Sequence, residues 1–377
     1  MAGVYIHIPM CARRCTYCDF YSTVGVGQAD RYLDAVLAEA RLRQHELGDA
    51  VSHITTIYIG GGTPSQLSVM QLAHLVQGLN ETLPLAGVEE FTIEVNPDDV
   101  NQPYIEQLVR LGVNRISMGV QSFVDSELQA VGRRHTALQA ERAVAAIRRA
   151  GITNVSIDLI YGLPGQMMDS WRLSVQKAIE LHPQHISAYA LSFEPGTVLW
   201  LQRERGEVQE ADEDLSVAMY AYLTQALHDA GYEHYEISNF ALPGRYSRHN
   251  SSYWNDTPYL GLGASAHSYD GAVRRYNPCD MMRYINSLEN GQTCFEEEVL
   301  TPRERYDETV MVQLRTSCGI DVDAVRHRFG ENAVAHLLQA ARSYEEQGQL
   351  EQSDGRLRLT ALGVMTSDAI IRDLMWE

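Results

Sequence analysis

The sequence is short of the features that would direct it to a membrane, a nucleic acid or an oxidising compartment. No apolar run approaches the ~18 residues that a membrane-crossing helix needs. The opening stretch, Met1 to Pro9, has neither a basic n-region nor a small-residue cleavage site, so no secretory signal is expected and a cytoplasmic location follows. Basic charge is scarce: 30 Lys and Arg stand against 49 Asp and Glu, a formal net charge of −19. A surface of that sign repels phosphate backbones and anionic lipid, which argues against nucleic acid as a partner. Internal repeats and low-complexity tracts are lacking. Cysteine is sparse, with six in 377 residues, and no disulfide framework is expected of a large chain in a reducing compartment. Cys279, Cys294 and Cys318 are widely spaced and read as incidental thiols. The other three crowd into the span from Cys11 to Cys18, and clustered cysteines in such a compartment point to metal or redox chemistry.

What is present is an alternation of β-rich runs and amphipathic helices. Periodicity predicts strands over Val4–Ile8, Ile54–Ile59, Glu90–Val95, Asn114–Met118, Asn154–Ile160 and His185–Leu191. Helical patterns lie between them, near Ala29–Glu46, Ser68–Leu83, Gln102–Leu111, Leu138–Ala150 and Ser170–Leu181. Strands alternating with helices make a parallel sheet with right-handed crossovers. No dinucleotide glycine fingerprint opens a helix, which favours an α/β partial (β/α)6 barrel over a flat doubly wound sheet. The pattern changes near Glu210. The expected organisation is a barrel over 1–210, an extension over 211–300 and a C-terminal α+β unit over 301–377. In that last unit, helices are followed by a hairpin with Asp354-Gly355 at its turn, resembling a winged helix. It shows no one-sided basic face, so a cap or partner-docking role is expected of it.

In folds of this class, function collects where parallel strands end. Cys11 to Cys18 follows the first predicted strand, Gly60-Gly61-Gly62-Thr63-Pro64 the second, and Glu94 closes the third. Gln121 lies just beyond the fourth and Asp158 near the end of the fifth. The cysteines have the spacing C-x3-C-x2-C, with no fourth cysteine before Cys279. Iron–sulfur clusters ordinarily take four thiolates, so a cubane held by three keeps one iron open, as a substrate-binding metal requires. The alternative is zinc, which prefers a closed set of four, and no second cysteine pair follows downstream. Three successive glycines let a backbone approach a ligand closely and expose its N–H and C=O groups. Glu94, flanked by apolar residues, needs donors if it is buried.

The motif Cys11-x3-Cys15-x2-Cys18, with Tyr17 before its last cysteine, resembles that of the radical S-adenosylmethionine (SAM) superfamily. The resemblance implies a [4Fe–4S] cluster on Cys11, Cys15 and Cys18 whose open iron is chelated by SAM. It implies SAM contacts from Gly61, Gly62 and Thr63 on the methionine side, and from Glu94, Gln121, Arg133 and Asp158. Tyr5 and Tyr17 are expected to line the same pocket, while His7 and His135 carry no assignment. Tyr5-Ile-His-Ile-Pro9, Gly60 to Ser65, Ile116 to Phe123 and Asp158 to Pro164 resemble the branch that contains oxygen-independent coproporphyrinogen III oxidase and the HemW-type heme chaperones. The oxidases place another cysteine directly after the motif and a sizeable segment before the first strand. This chain reads Cys18-Asp19-Phe20, and ten residues precede Cys11. Both departures favour the chaperones and count against coproporphyrinogen dehydrogenase activity. His249-Asn250-Ser-Ser-Tyr253-Trp254 matches the chaperones' H-N-x-x-Y-W motif, which implies heme as a further ligand with His249 at its iron, and His267 as a weaker candidate. The expected partner is an acceptor hemoprotein, with an oligomeric state that depends on the cluster.

Overall fold

Six parallel strands form the centre of the structure: β1 (Ala2–Ile8), β2 (Ile54–Gly61), β3 (Glu90–Val95), β4 (Arg115–Gln121), β5 (Asn154–Tyr161) and β6 (His185–Ala190). The computed structural model, which describes residues 1–376, pairs each with the next in parallel. Each strand separates two environments, because successive side chains point to opposite faces. On β1, Val4, Ile6 and Ile8 are buried in the apolar cluster that also holds the helices' inner faces. Tyr5 and His7 alternate with them and meet Tyr58 and one another inside the barrel.

Helices Ala29–Arg43, Val69–Thr82, Gln102–Arg110, Ala137–Arg149 and Met168–Glu180 make the crossovers. Ser68 with Gln71 and Thr136 with Gln139 form reciprocal capping boxes, each worth about 1 kcal/mol. Trp171 is fully buried, and its indole N–H donates to the Met219 carbonyl at 2.8 Å. That bond fixes the Met168–Glu180 helix against the Glu213–Asp229 helix.

The stretch expected as an extension adds strands to both sides of the same sheet. β7 (Glu233–Glu236) and β8 (Asn239–Ala241) lie beyond β6, while β9 (Tyr259–Leu262), β10 (His267–Tyr269), β11 (Val273–Tyr276) and β12 (Glu296–Val299) lie beyond β1. The order across the 12-stranded sheet is β12-β11-β10-β9-β1-β2-β3-β4-β5-β6-β8-β7. Leu260, Leu262, Tyr284 and Ile285 from this stretch are buried in the barrel's own core. A buried charge network binds the two together. Arg43 pairs with Glu39 at 2.6 Å and donates to the Gly261 carbonyl and Ser268, while Glu39 accepts from Tyr284 and the Gly263 N–H. Removing one partner from such a pair costs about 3–5 kcal/mol, since the other charge stays buried.

A second apolar core collects Tyr306, Val310, Leu314, Val325, Leu337, Leu357 and Ile370 from the C-terminal residues. It is built from helices Pro302–Leu314, Val322–Phe329, Glu331–Glu346 and Ser367–Leu374 and the hairpin Leu350–Ser353/Arg356–Leu359. Asp354 and Gly355 both take positive φ at the hairpin turn, 51° and 73°, as a two-residue turn of that kind requires. Ion pairs Arg328–Asp256 at 2.7 Å and Arg274–Glu308 at 2.6 Å hold this unit to the sheet.

Candidate functional site

The C-terminal ends of the strands open into one cavity of about 450 Å³. Cys11, Cys15, Tyr17, Cys18, Gly61, Gly62, Thr63, Glu94, Gln121, Arg133 and Asp158 all line it, from segments spread over more than half the barrel's sequence.

The three cysteines are free thiols on one side of this space. The Thr63 hydroxyl donates to Cys11 Sγ at 3.3 Å, and Arg133 Nη1 donates to Cys15 Sγ at 3.5 Å. Burial pushes the Cys18 thiol above its usual pKa, and the neighbouring Cys15 and Cys11 add to the rise. Among the described residues no three ligating side chains close on a point as a single ion would need. Thiols spread along a cavity wall and met by cationic and hydroxyl donors suit an iron–sulfur cubane, which attaches its cysteines to separate irons. Burial opposes the charge of Arg133, yet the Tyr17 phenol and Cys15 beside it hold its pKa above the ordinary value.

The glycine loop is shaped for a ligand. Gly61 has φ +108°, and a Cβ there would meet the His7 ring at 2.7 Å. A Cβ on Gly62 would lie 2.9 Å from the Met10 carbonyl oxygen. Neither position accepts a side chain, so the backbone itself forms the wall. Glu94 accepts from the Tyr58 hydroxyl at 2.8 Å and the Gly61 N–H at 3.1 Å. Burial pushes its pKa up to about 7, against the pull of Tyr58. Asp158 is likewise raised by burial and accepts from the Ser117 hydroxyl at 3.3 Å.

Gln121 owes its place to a bulge. The β4–β5 register slips between Gly119 and Gln121, and Gln121 takes φ +67°. A non-glycine residue held there costs on the order of 1–3 kcal/mol, which the surroundings must offset. His135, left without a role by the sequence, supplies part of that support: its Nε2 bonds the Val120 carbonyl at 3.0 Å. His7, also unassigned, bonds Tyr5 at 3.1 Å and the Tyr21 carbonyl at 3.0 Å, tying the end of the cysteine loop to β1.

Two expected site residues stand apart. Tyr5 does not line the cavity; its hydroxyl is taken by His7, and its ring packs beside Tyr58 and His249. His249 is 1% exposed, with Nδ1 bonded to Thr56 at 2.8 Å and Nε2 to the Tyr253 hydroxyl at 3.0 Å. Burial lowers its pKa to about 3. An open axial ligand was expected from the motif; as folded here the ring has no free nitrogen. Gly3 makes the placement possible, since a Cβ there would meet His249 at 3.1 Å. The other motif residues diverge from the short helix Arg248–Trp254. Asn250 faces the cavity, while Tyr253 and Trp254 line a second cleft of about 220 Å³ against the C-terminal unit. His267 remains exposed and stacks on Tyr276.

Residues 5–178 match the model of the Radical SAM superfamily, and residues 300–366 match that of the HemN C-terminal domain. Heme chaperone HemW of Bacillus subtilis is 33% identical over 380 residues, covering 100% of both chains. Heme chaperone HemW of Lactococcus lactis is 38% identical over 328 residues, 87% of this chain and 85% of that protein. The chain belongs to the HemW family of radical SAM proteins. Membership of the radical SAM superfamily implies a [4Fe–4S] cluster and SAM for this HemW-family chain. A mitochondrial relative in Mus musculus, radical S-adenosyl methionine domain-containing protein 1, is 31% identical over 99% of this chain and 87% of its own. Among solved structures, coproporphyrinogen III oxidase (HemN) from Escherichia coli superposes with a TM-score of 0.84 at 24% identity, over 99% of this chain and 90% of that one. That likeness establishes the fold.

Sequence reasoning passed over Tyr58, Asn96, Arg115, Ser117, Ser187 and Tyr189, which line the cavity too. The signal was available. Tyr58 pairs in register with Tyr5, Ser117 with Glu94 and Ser187 with Asp158, each the neighbour of a residue that was named. Asn96 accepts from Arg133 Nη2 at 2.8 Å and so fixes the guanidinium that meets Cys15.

Proposed function

We propose that this chain is a cytoplasmic heme chaperone: it binds heme and passes it to an acceptor hemoprotein, with a SAM-bearing cluster as part of the same machine. The observation that carries this reading is the helix Arg248–Trp254, one face of which closes the cluster cavity while the other lines the aromatic cleft. Tyr and Trp offer flat apolar faces with polar edges, the surface a porphyrin needs. The run Cys18-Asp19-Phe20, without the further cysteine that the oxidases carry after the motif, favours the same reading, as does the full-length likeness to proteins named heme chaperones.

Cys11, Cys15 and Cys18 are the thiolates for the cluster, which when bound supplies a redox-active iron with one position open to SAM. Thr63 and Arg133 stabilise negative charge on the sulfurs of Cys11 and Cys15. Gly61 and Gly62 admit the ligand to backbone contact, and Glu94, Gln121 and Asp158 provide acceptors for its hydroxyl and ammonium groups. Tyr253 acts as a latch on His249, because heme ligation through Nε2 requires the Tyr253 hydroxyl to leave it.

The test is a hemin titration of anaerobically reconstituted protein beside an assay with coproporphyrinogen III, SAM and a low-potential reductant. Saturable one-site hemin binding without protoporphyrinogen formation is expected. Turnover of coproporphyrinogen, or no hemin binding, refutes the reading.

A further inference from the structure

The floor of the barrel, at the N-terminal ends of the strands, is polar and nearly all matched. Ser156 bonds His185 Nδ1 at 2.8 Å, His185 Nε2 bonds the Tyr235 hydroxyl at 2.7 Å, and Thr56 bonds His249. Arg115 is the exception. It is 1% exposed and reaches the cavity, yet among the described residues its Nε and Nη1 meet no partner. The same holds for the hydroxyl of Thr92 and for Oδ1 of Asn154. These are neighbours: Thr92 pairs in register with Arg115 on β4, and Arg115 with Asn154 on β5. Glu94 and Asp158 are near enough for the Arg115 charge to pull on their pKa values, yet neither bonds it: Glu94 accepts from Tyr58 and Gly61, and Asp158 from Ser117. Burial lowers the pKa of both floor histidines, so neither adds a second positive charge.

A buried guanidinium whose Nε and Nη1 lack hydrogen-bond partners is costly, and a ligand that accepts from it offsets that cost. A guanidinium fork with a hydroxyl beside it matches a carboxylate, which accepts two parallel N–H bonds and a third from the hydroxyl. The backbone of Arg115 lies at the opposite end of the strand from Gln121, though the guanidinium reaches the cavity that the cysteines share. Arg115 opens β4 and Gln121 ends it, about 20 Å apart along the strand at ~3.3 Å per residue.

We propose that Arg115, with Thr92 beside it, binds a carboxylate group at the barrel floor and so anchors a second ligand beneath SAM. This goes beyond the chaperone reading and does not depend on it. The carboxylate comes either from an arm of a larger ligand, such as a porphyrin propionate, or from a free small organic acid. Arg115 is a binding residue here, and no covalent step is assigned to it.

The experiment uses the full chain, melted in sulfonate buffer with and without acetate, as wild type, Arg115→Gln and Thr92→Val. Acetate is expected to raise the melting temperature of wild type saturably and to leave Arg115→Gln unchanged, with Thr92→Val needing about tenfold more acetate. Without acetate, Arg115→Gln is expected to melt close to wild type, because it removes two unpartnered donors along with the charge that faces Glu94 and Asp158. A response equal in wild type and Arg115→Gln, or no saturable response in wild type, overturns the proposal and leaves the floor to water. A parallel arm compares hemin with its dimethyl ester. If a propionate is the source, wild type prefers the free acid by about tenfold and Arg115→Gln does not. If the ester binds equally while the acetate response persists, the ligand is a free acid. Absence of any hemin binding counts against the chaperone reading, and the acetate result still decides this one.

Discussion

Replacing Glu94 with Gln tests how far the cavity is built against charge. The Glu94 carboxyl, raised by burial from the usual 4.5 to about 7, favours its protonated form by roughly 3 kcal/mol, at about 1.4 kcal/mol per pH unit. The folded protein therefore binds more protons than the unfolded chain between those values. Its stability is greatest below pH 4.5 as far as this group is concerned, falls as pH rises towards 7, and levels off above. Gln cannot ionise, so Glu94→Gln removes this slope. It also loses an acceptor: the two bonds from Tyr58 and Gly61 must share one oxygen, at a cost of about 1 kcal/mol. The balance at pH 8 is a variant more stable than wild type by roughly 2 kcal/mol, on the order of 4 °C in melting temperature, with the difference vanishing by pH 5. Thermal melts of the cluster-free protein from pH 5 to pH 8 read it directly. A variant that melts lower than wild type at pH 8 with an unchanged pH slope would show that Glu94 is ionised and well solvated, and the reasoning fails. SAM affinity should fall in the same variant, since the acceptor is lost where the ligand needs it.

Other outcomes follow from the same geometry. Cys15→Ser leaves Arg133 without its thiol partner and is expected to bring iron content after anaerobic reconstitution close to zero with the fold intact by circular dichroism; retained iron near wild type removes Cys15 as a ligand. Gly62→Ala puts a methyl 2.9 Å from the Met10 carbonyl and should weaken SAM binding at least tenfold by equilibrium dialysis, whereas unchanged affinity would mean that the loop is only a turn. Tyr253→Phe frees His249 Nε2 at a cost of about 1 kcal/mol and should tighten hemin binding with a sharper Soret band; weaker binding would make Tyr253 a contact of heme rather than a latch. Trp171→Ala should cost about 3–5 kcal/mol in stability, since it empties a fully buried indole site and removes the bond to the Met219 carbonyl.

The sequence carried the central barrel well because each strand reads as a local alternation bounded by turn residues. The predicted Asn114–Met118 stops short of the observed Arg115–Gln121 at Gly119, where the bulge hides the strand's continuation. The edge strands between Tyr259 and Val299 escaped notice, being four residues or fewer and stabilised by distant partners such as β1 rather than by their own pattern. The cysteines and glycines were legible because spacing and residue type express their chemistry. The burial of His249 was not: it depends on Gly3 leaving room and on Thr56, 193 residues away in sequence, supplying a hydroxyl. The place of Tyr5 depends likewise on a residue far along the chain, Tyr58, whose ring it packs beside.

The pairing of β1 with β9 has a consequence for how the protein is made. Gly3 meets Tyr259 across that ladder, so the strand carrying the cysteine loop keeps one bare edge until some two-thirds of the chain has left the ribosome. Iron delivered earlier would meet thiols on an unbraced segment. Loading is accordingly a late event, and a prematurely terminated product ending before β9 would carry every cysteine of the motif and still retain no iron.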